Sequence, residues 1–171
     1  MKDIVLAADR VCFAGVDAHS PVLQAVDLEA ARDEVTTILC ADDSVRNALI
    51  RVLSFQEPPS SGEMRFQGRV VGRRGKCELK RMRGRVLVLH SADLEQSVST
   101  LTEPDSCPNV VLIDASDAEI HIPCLPLPTL LREFAERGAA VMLFTRDPSM
   151  ALCTDVVYKW SKGTLQRIGT P

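Results

Sequence analysis

Four stretches of the chain are apolar on consecutive positions, without the alternation of a strand that faces water on one side. They are Thr36 to Ala41, Val86 to Leu89 with His90 after it, Val110 to Ile113 before Asp114, and Ala139 to Thr145. Continuous short runs of this kind predict strands buried on both faces, which requires helices on each side of the sheet they form. After the first run the period changes. Asp42-Asp43-Ser44 is polar, and Val45, Ala48, Leu49, Val52 and Leu53 then fall at helical spacing. Asp43 or Ser44 is expected to cap that helix, which should start near Ser44. Val22 to Leu28 alternates, as a half-buried strand does. Asp3 to Ala7 and Arg10 to Phe13 read as two short apolar segments broken by Asp9. Residues 63–66 and 69–72 read as two short strands around Gln67-Gly68. One short helix is expected over Ala92 to Leu101 and a loop over Pro104 to Pro108. Pro123, Pro126 and Pro128 exclude a regular element before Thr129. Thr129 then caps a helix that Gly138 ends, and Asp155 to Trp160 with Thr164 to Ile168 form a last hairpin.

The strand, turn and helix over 36–55 make an arrangement in which backbone N–H groups and a helix N-terminus converge, as they do where phosphate is bound. The residues for that chemistry are different. The pattern G-x-x-x-x-G-K-[ST] needs Gly at 40 and 45, Lys at 46 and Ser or Thr at 47, whereas the chain has Cys40, Val45, Arg46 and Asn47. Val45 is β-branched where close backbone approach is needed, Arg46 is a fork rather than a point charge, and Asp42 and Asp43 bring like charge to a phosphate.

Three segments beyond this helix carry a resemblance. Pro58-Pro59-Ser60-Ser61-Gly62-Glu63-Met64-Arg65-Phe66-Gln67-Gly68 is similar to the "P-x-S-G-x-h-x-h-x-G" run after the P-loop helix of ABC transporter ATPases. Leu130 to Arg137 with Gly138 to Pro148 resembles their "L-A-E-x-G-x-x-V-x-x-V-T-H-D" segment, and Asp155 to Gly163 their "A-D-x-V-x-V-h-x-x-G" tail. The resemblance implies a P-loop-type three-layer α/β core with a mainly parallel sheet (36–61 and 86–171) and a small antiparallel β-subdomain (1–35 and about 62–72). It places Ser44, Val45, Arg46, Asn47 and Ala48 at the phosphate loop, His90 at the position of a metal-contacting Gln, Asp114 at the magnesium-holding acid and Arg146 at the γ-phosphate-sensing His. Gly15 takes the place of an adenine-stacking aromatic. Phe13, two residues earlier, is either a stacking residue or a core one. The expected catalytic Glu is Ala115, and His121 replaces a later Asp. Only 24 positions separate His90 from Asp114, so the helical subdomain and its L-S-G-G-Q motif are missing.

Composition changes little in this picture. The chain has 171 residues, 46% hydrophobic and 25% charged, with a formal net charge of −3, which suits one globular domain. Its six cysteines form no C-x-x-C pair and its three histidines are scattered, so free thiols are expected and neither a disulfide framework nor a metal site. No apolar run is long enough to cross a bilayer, and no secretory leader is expected from MKDIVLAADR. Arg69, Arg73, Arg74, Lys76, Lys80, Arg81, Arg83 and Arg85 form a basic stretch opposed by Glu78 alone. It is either a solvated face or an anion- or partner-docking surface; ELKRMRGR resembles a surface part of peptide- and phosphonate-type import ATPases. With no aromatic interleaved, nucleic acid is not expected.

Hydrolysis of ATP needs donors around the phosphates, a magnesium ligand and a positioned base. The phosphate loop with its magnesium-ligating hydroxyl, the base, the γ-phosphate-sensing position and the signature motif are altered, and the chain is expected not to hydrolyse ATP. The expected role is a non-catalytic scaffold or regulatory subunit without a cofactor. It would work through a protein partner, an ABC transporter ATPase or membrane subunit, in the cytoplasm or on the inner face of the membrane. A homo-oligomer stays open. The alternative is a transporter subunit that binds ATP and magnesium without turnover. An unrelated enzyme using Asp114, His90 or Arg146 lacks a nucleophile–base pair.

Overall fold

The computed structural model describes residues 2–14, 21–71, 76–90, 107–115 and 127–169, with backbone alone at 76 and 77. The described residues form two sheets. Strands β1 (Ile4–Phe13), β2 (Leu23–Ala31), β4 (Ser61–Phe66) and β5 (Arg69–Val71) make a four-stranded antiparallel sheet in the order β2-β1-β4-β5. Strands β3 (Val35–Leu39), β6 (Val86–His90), β7 (Val110–Ala115), β8 (Ala140–Thr145), β9 (Val156–Ser161) and β10 (Thr164–Gly169) make the second, in the order β10-β9-β3-β8-β7-β6. Its pairings are parallel except for the β9–β10 hairpin.

The central strands β7 and β8 are buried at every position, as their unbroken apolar runs require. One face of the large sheet carries Ile38, Leu112, Met142, Phe144 and Tyr158. It packs with helix α1 (Asp43–Leu53) and with the inner face of the small sheet in one core. The opposite face carries Val111, Ile113, Val141 and Leu143 and is covered by helix α3 (Leu127–Glu136), through Leu130, Leu131 and Phe134. A short basic helix, α2 (Lys76–Arg83), lies against β6. Asp155 fixes the start of β9: it accepts the Val35 N–H at 2.8 Å and pairs with Arg132 of α3 at 3.1 Å.

Three details differ from the sequence expectation. The first strand is continuous over ten residues, and Asp9-Arg10 is a β-bulge within it. Arg10 turns to φ 46° and gives its N–H to Asp27 at 2.8 Å, while the pairing register shifts on both sides. Gly62 of β4 passes so close to this bulge that a Cβ there would stand 2.4 Å from the Arg10 carbonyl oxygen, at φ +88°. Helix α3 starts at Leu127, two residues before Thr129, because Pro128 falls in the first turn, where a missing N–H costs nothing. Helix α1 is capped by Asp42, not by Asp43 or Ser44. The helix expected over Ala92 to Leu101 lies outside the described residues, as do Gly15 and His121.

Candidate functional site

The site sits at the C-terminal edge of the large sheet, where β3 runs into α1 and where β6, β7 and β8 end. Three residues, Cys40 to Asp42, make the whole connection from β3 to α1. Asp42 is extended (φ −85°, ψ 113°), and its carboxylate accepts the N–H groups of Ser44 at 2.9 Å and Val45 at 3.2 Å. Its carbonyl takes the Arg46 N–H at 3.0 Å. The donors that a phosphate would use are thus bound within the chain, and Asp42 fills the anion position at the helix N-terminus. Val45 is helical, buried and free of backbone strain. The Cys40 thiol is buried beneath this turn, and burial first, with Asp42 and Asp43 nearby, raises its pKa.

One turn into α1, Arg46 points into the protein and is only 5% exposed. Its Nη1 lies 2.7 Å from Asp43 Oδ1 and its Nε 3.1 Å from Asp114 Oδ1 at the end of β7. Both contacts lie off the line of the N–H bonds, so charge attraction dominates them. Arg146, just after β8, pairs with the same oxygen of Asp43, Oδ1. These two arginines hold the Asp43 carboxyl below its ordinary range, Arg146 first and Arg46 second. His90 is the register partner of Asp114, with its Nδ1 3.7 Å from Asp114 Oδ2.

The fold therefore gathers Ser44, Arg46, His90, Asp114 and Arg146 of the expected positions, and adds Asp42 and Asp43. Asn47 is exposed on α1 and Ala48 is in the core. Phe13 does not join them. It is 4% exposed, and Arg51 in the last turn of α1 stands over its ring at 6.0 Å. Seven residues of helix separate Arg51 from Ser44, about 10 Å of rise. Phe13 is thus a core residue at the other end of the helix. In the basic stretch, Arg83 donates to the carbonyls of Phe55 and Gln56 at 3.1 and 3.0 Å, which secures the chain after α1.

Asp43 and Asp114 each have a cationic neighbour, and the Asp42 carboxylate accepts two backbone N–H groups. The oxygen of Asp114 that faces α1 meets Arg46, and Asn47 and Ala48 bring no hydroxyl. As arranged, the residues present do not fit a magnesium–triphosphate group. Among the described residues no cluster of three His, Cys, Asp or Glu could hold a metal ion.

No protein-family model matches the chain. It is 31% identical over 67 residues to the methionine import ATP-binding protein MetN of Mesorhizobium japonicum, an alignment of 39% of this chain and 18% of that protein's length. Three solved structures share its architecture. The cbiO1 protein of Clostridium perfringens, part of the ABC transporter complex cbiONQ, superposes with a TM-score of 0.74 over 96% of this chain and 88% of its own, at 13% identity. A dimeric bacterial ABC transporter cassette gives 0.72 over 95% and 97%, at 13% identity. The same cassette in a post-hydrolysis state, bound to ADP and Pi, gives 0.69 at 12% identity. The class is thereby defined by its fold: a P-loop-type α/β core with an antiparallel β-subdomain, the fold of ABC transporter ATP-binding cassettes. Among the described residues no helix is long and apolar enough to cross a membrane.

Proposed function

We propose that this chain is a non-catalytic ATP-binding-cassette domain, a scaffold or regulatory subunit that acts by binding other proteins. The observation that carries this reading is the Asp42–Asp43–Arg46–Asp114 constellation. The chain's own carboxylate caps α1 where a triphosphate would sit, and its own guanidinium neutralises the acid at the end of β7. Catalysis of phosphoryl transfer is positioning and charge stabilisation, and here both are spent inside the protein. The partner class comes from the structural relatives, one part of an ABC transporter complex and another a dimer. An ABC transporter ATPase or membrane subunit, at the cytoplasmic face, is the expected partner, with self-association as a variant of the same role.

A second reading, a subunit that binds nucleotide without turnover, draws on the relative bound to ADP and Pi and on the cation at Arg46. Phosphate release with Mg-ATP, measured for the protein and for Ala115→Glu, tests the non-catalytic part. Neither should exceed the buffer. Magnesium-dependent release by Ala115→Glu would mean that only a base is missing, and would overturn the proposal. Affinity purification from the native cell should recover ABC transporter components in stoichiometric amount.

A further inference from the structure

A second cleft lies where the small sheet meets the β9–β10 hairpin, away from Arg46. It has a volume of about 360 Å³, at the small end of the range for ligand sites. Ala7, the register partner of Glu29, and Leu165 supply its apolar lining. Tyr158, 6% exposed, crosses from β9, and its phenol oxygen accepts the Glu29 N–H at 3.2 Å. The phenol proton has no acceptor among the described residues, and Tyr158 lines the cleft, where it can donate to a ligand.

The charges around the rim do not all cancel. Glu63 and Arg65 pair at 2.6 Å, and Asp9 is paired with Arg10 at 3.5 Å. Asp27 uses one oxygen for the Arg10 N–H. Glu29 on β2 and Arg167 on β10 line the same cleft, yet neither side chain makes an ion pair among the described residues, with each other or with a third group. Asp27 and Glu29 are two positions apart on one strand and so share a face. An anionic ligand would meet the carboxylates of Asp27 and Glu29, and a purely cationic one would meet Arg167. A ligand carrying both signs satisfies both sides.

We infer that this cleft binds a small zwitterion, a free α-amino acid. Its ammonium group lies between Asp27 and Glu29, and its carboxylate on the Arg167 guanidinium and the Tyr158 hydroxyl. Its side chain lies against Ala7 and Leu165. Arg is suited to the carboxylate because its planar fork can donate two parallel hydrogen bonds. Such a ligand bridges β2 to β10, and therefore the small sheet to the large one. It binds the folded chain alone and raises its melting temperature. The inference is independent of the nucleotide-equivalent position, since none of the residues around Arg46 lines this cleft.

The test is a thermal scan of the full chain with each of the twenty common L-amino acids at about 10 mM, followed by calorimetry on those that stabilise. At a tenfold excess over Kd the expected rise is about 3–6 °C. The N-acetyl and amide derivatives of the same amino acid should give none. Arg167→Gln and Glu29→Gln change exposed side chains and should melt with the parent, yet each should weaken binding at least tenfold. The inference is overturned if no free amino acid stabilises the protein. It is overturned equally if the capped derivatives or spermidine stabilise as well, or if binding survives both substitutions.

Discussion

Replacing Arg46 by Met keeps most of the buried stem and removes the charge. Asp114, 8% exposed, is then left without the guanidinium at 3.1 Å. Breaking a buried ion pair by removing one partner costs about 3–5 kcal/mol. The lower end applies, because His90 stands 3.7 Å from the other oxygen and is open to solvent. A loss of about 3 kcal/mol lowers the melting temperature of a domain this size by about 6–12 °C. Urea titration at pH 7 measures it, with an unchanged m-value as the check that the unfolded state is not involved. Asp114→Asn alone should also destabilise, since it leaves Arg46 buried beside a solvent-facing Asp43. The double variant Arg46→Met/Asp114→Asn should recover at least half of the summed loss. If the two changes add to within about 0.5 kcal/mol, the two residues are not coupled and the ion pair does not hold the site together.

Three other contacts give measurable outcomes. The Asp43 carboxyl is held below its ordinary value of 3.8 by Arg146 and then Arg46, so its contribution to stability is present above that pH and is lost as pH falls through the lowered value. Asp43→Asn should therefore flatten the acid limb of stability against pH below about 4, and identical limbs would exclude the pairing. Thr37 and Thr36 are fully buried on β3 with hydroxyls that have no hydrogen-bond partner among the described residues. Thr37→Val should raise stability by about 1 kcal/mol, or about 2–4 °C, and a loss of that size would reveal a bonded hydroxyl. Gly62→Ala would set a Cβ 2.4 Å from the Arg10 carbonyl at φ +88°. It should cost more than about 2 kcal/mol in the same titration, while Gly68→Ala, with nothing within 4 Å, costs less.

The central strands were readable because burial on both faces leaves no room for polar alternation, and β3, β7 and β8 lie within one or two residues of the spans expected. Residues 86–90 have the expected span, but as the edge strand β6 they are only partly buried, not buried on both faces. Turns were readable where the chemistry is local: Gln67-Gly68 and Lys162-Gly163 both have positive φ at two successive residues, as tight hairpins need. The bulge at Asp9-Arg10 was hidden, since a charged pair in an apolar run looks like a break, and only the partner Asp27 shows otherwise. The cap of α1 was hidden for a different reason. Asp42, Asp43 and Ser44 all favour that position, and the choice is made by Arg46 and Arg146, which draw Asp43 away. The Asp43–Arg46 spacing of three was visible as a helix pair; that Arg46 would also reach Asp114 depends on how β7 sits beside β8 and could not be read locally. Phe13 turned on the same kind of information, namely which end of α1 lies over β1.

Whether the chain fills its own nucleotide position can be decided by a thermal scan with about 5 mM Mg-ATP, because a ligand that binds only the folded state must raise the melting temperature by mass action. With Asp42 already on the helix N-terminus and Arg46 already on Asp114, binding tighter than millimolar is not expected, and the melting temperature should stay within about 1–2 °C of its value without nucleotide. A rise of about 5 °C or more that Arg46→Ala abolishes would show the position to be open, and would make the chain a nucleotide-binding subunit.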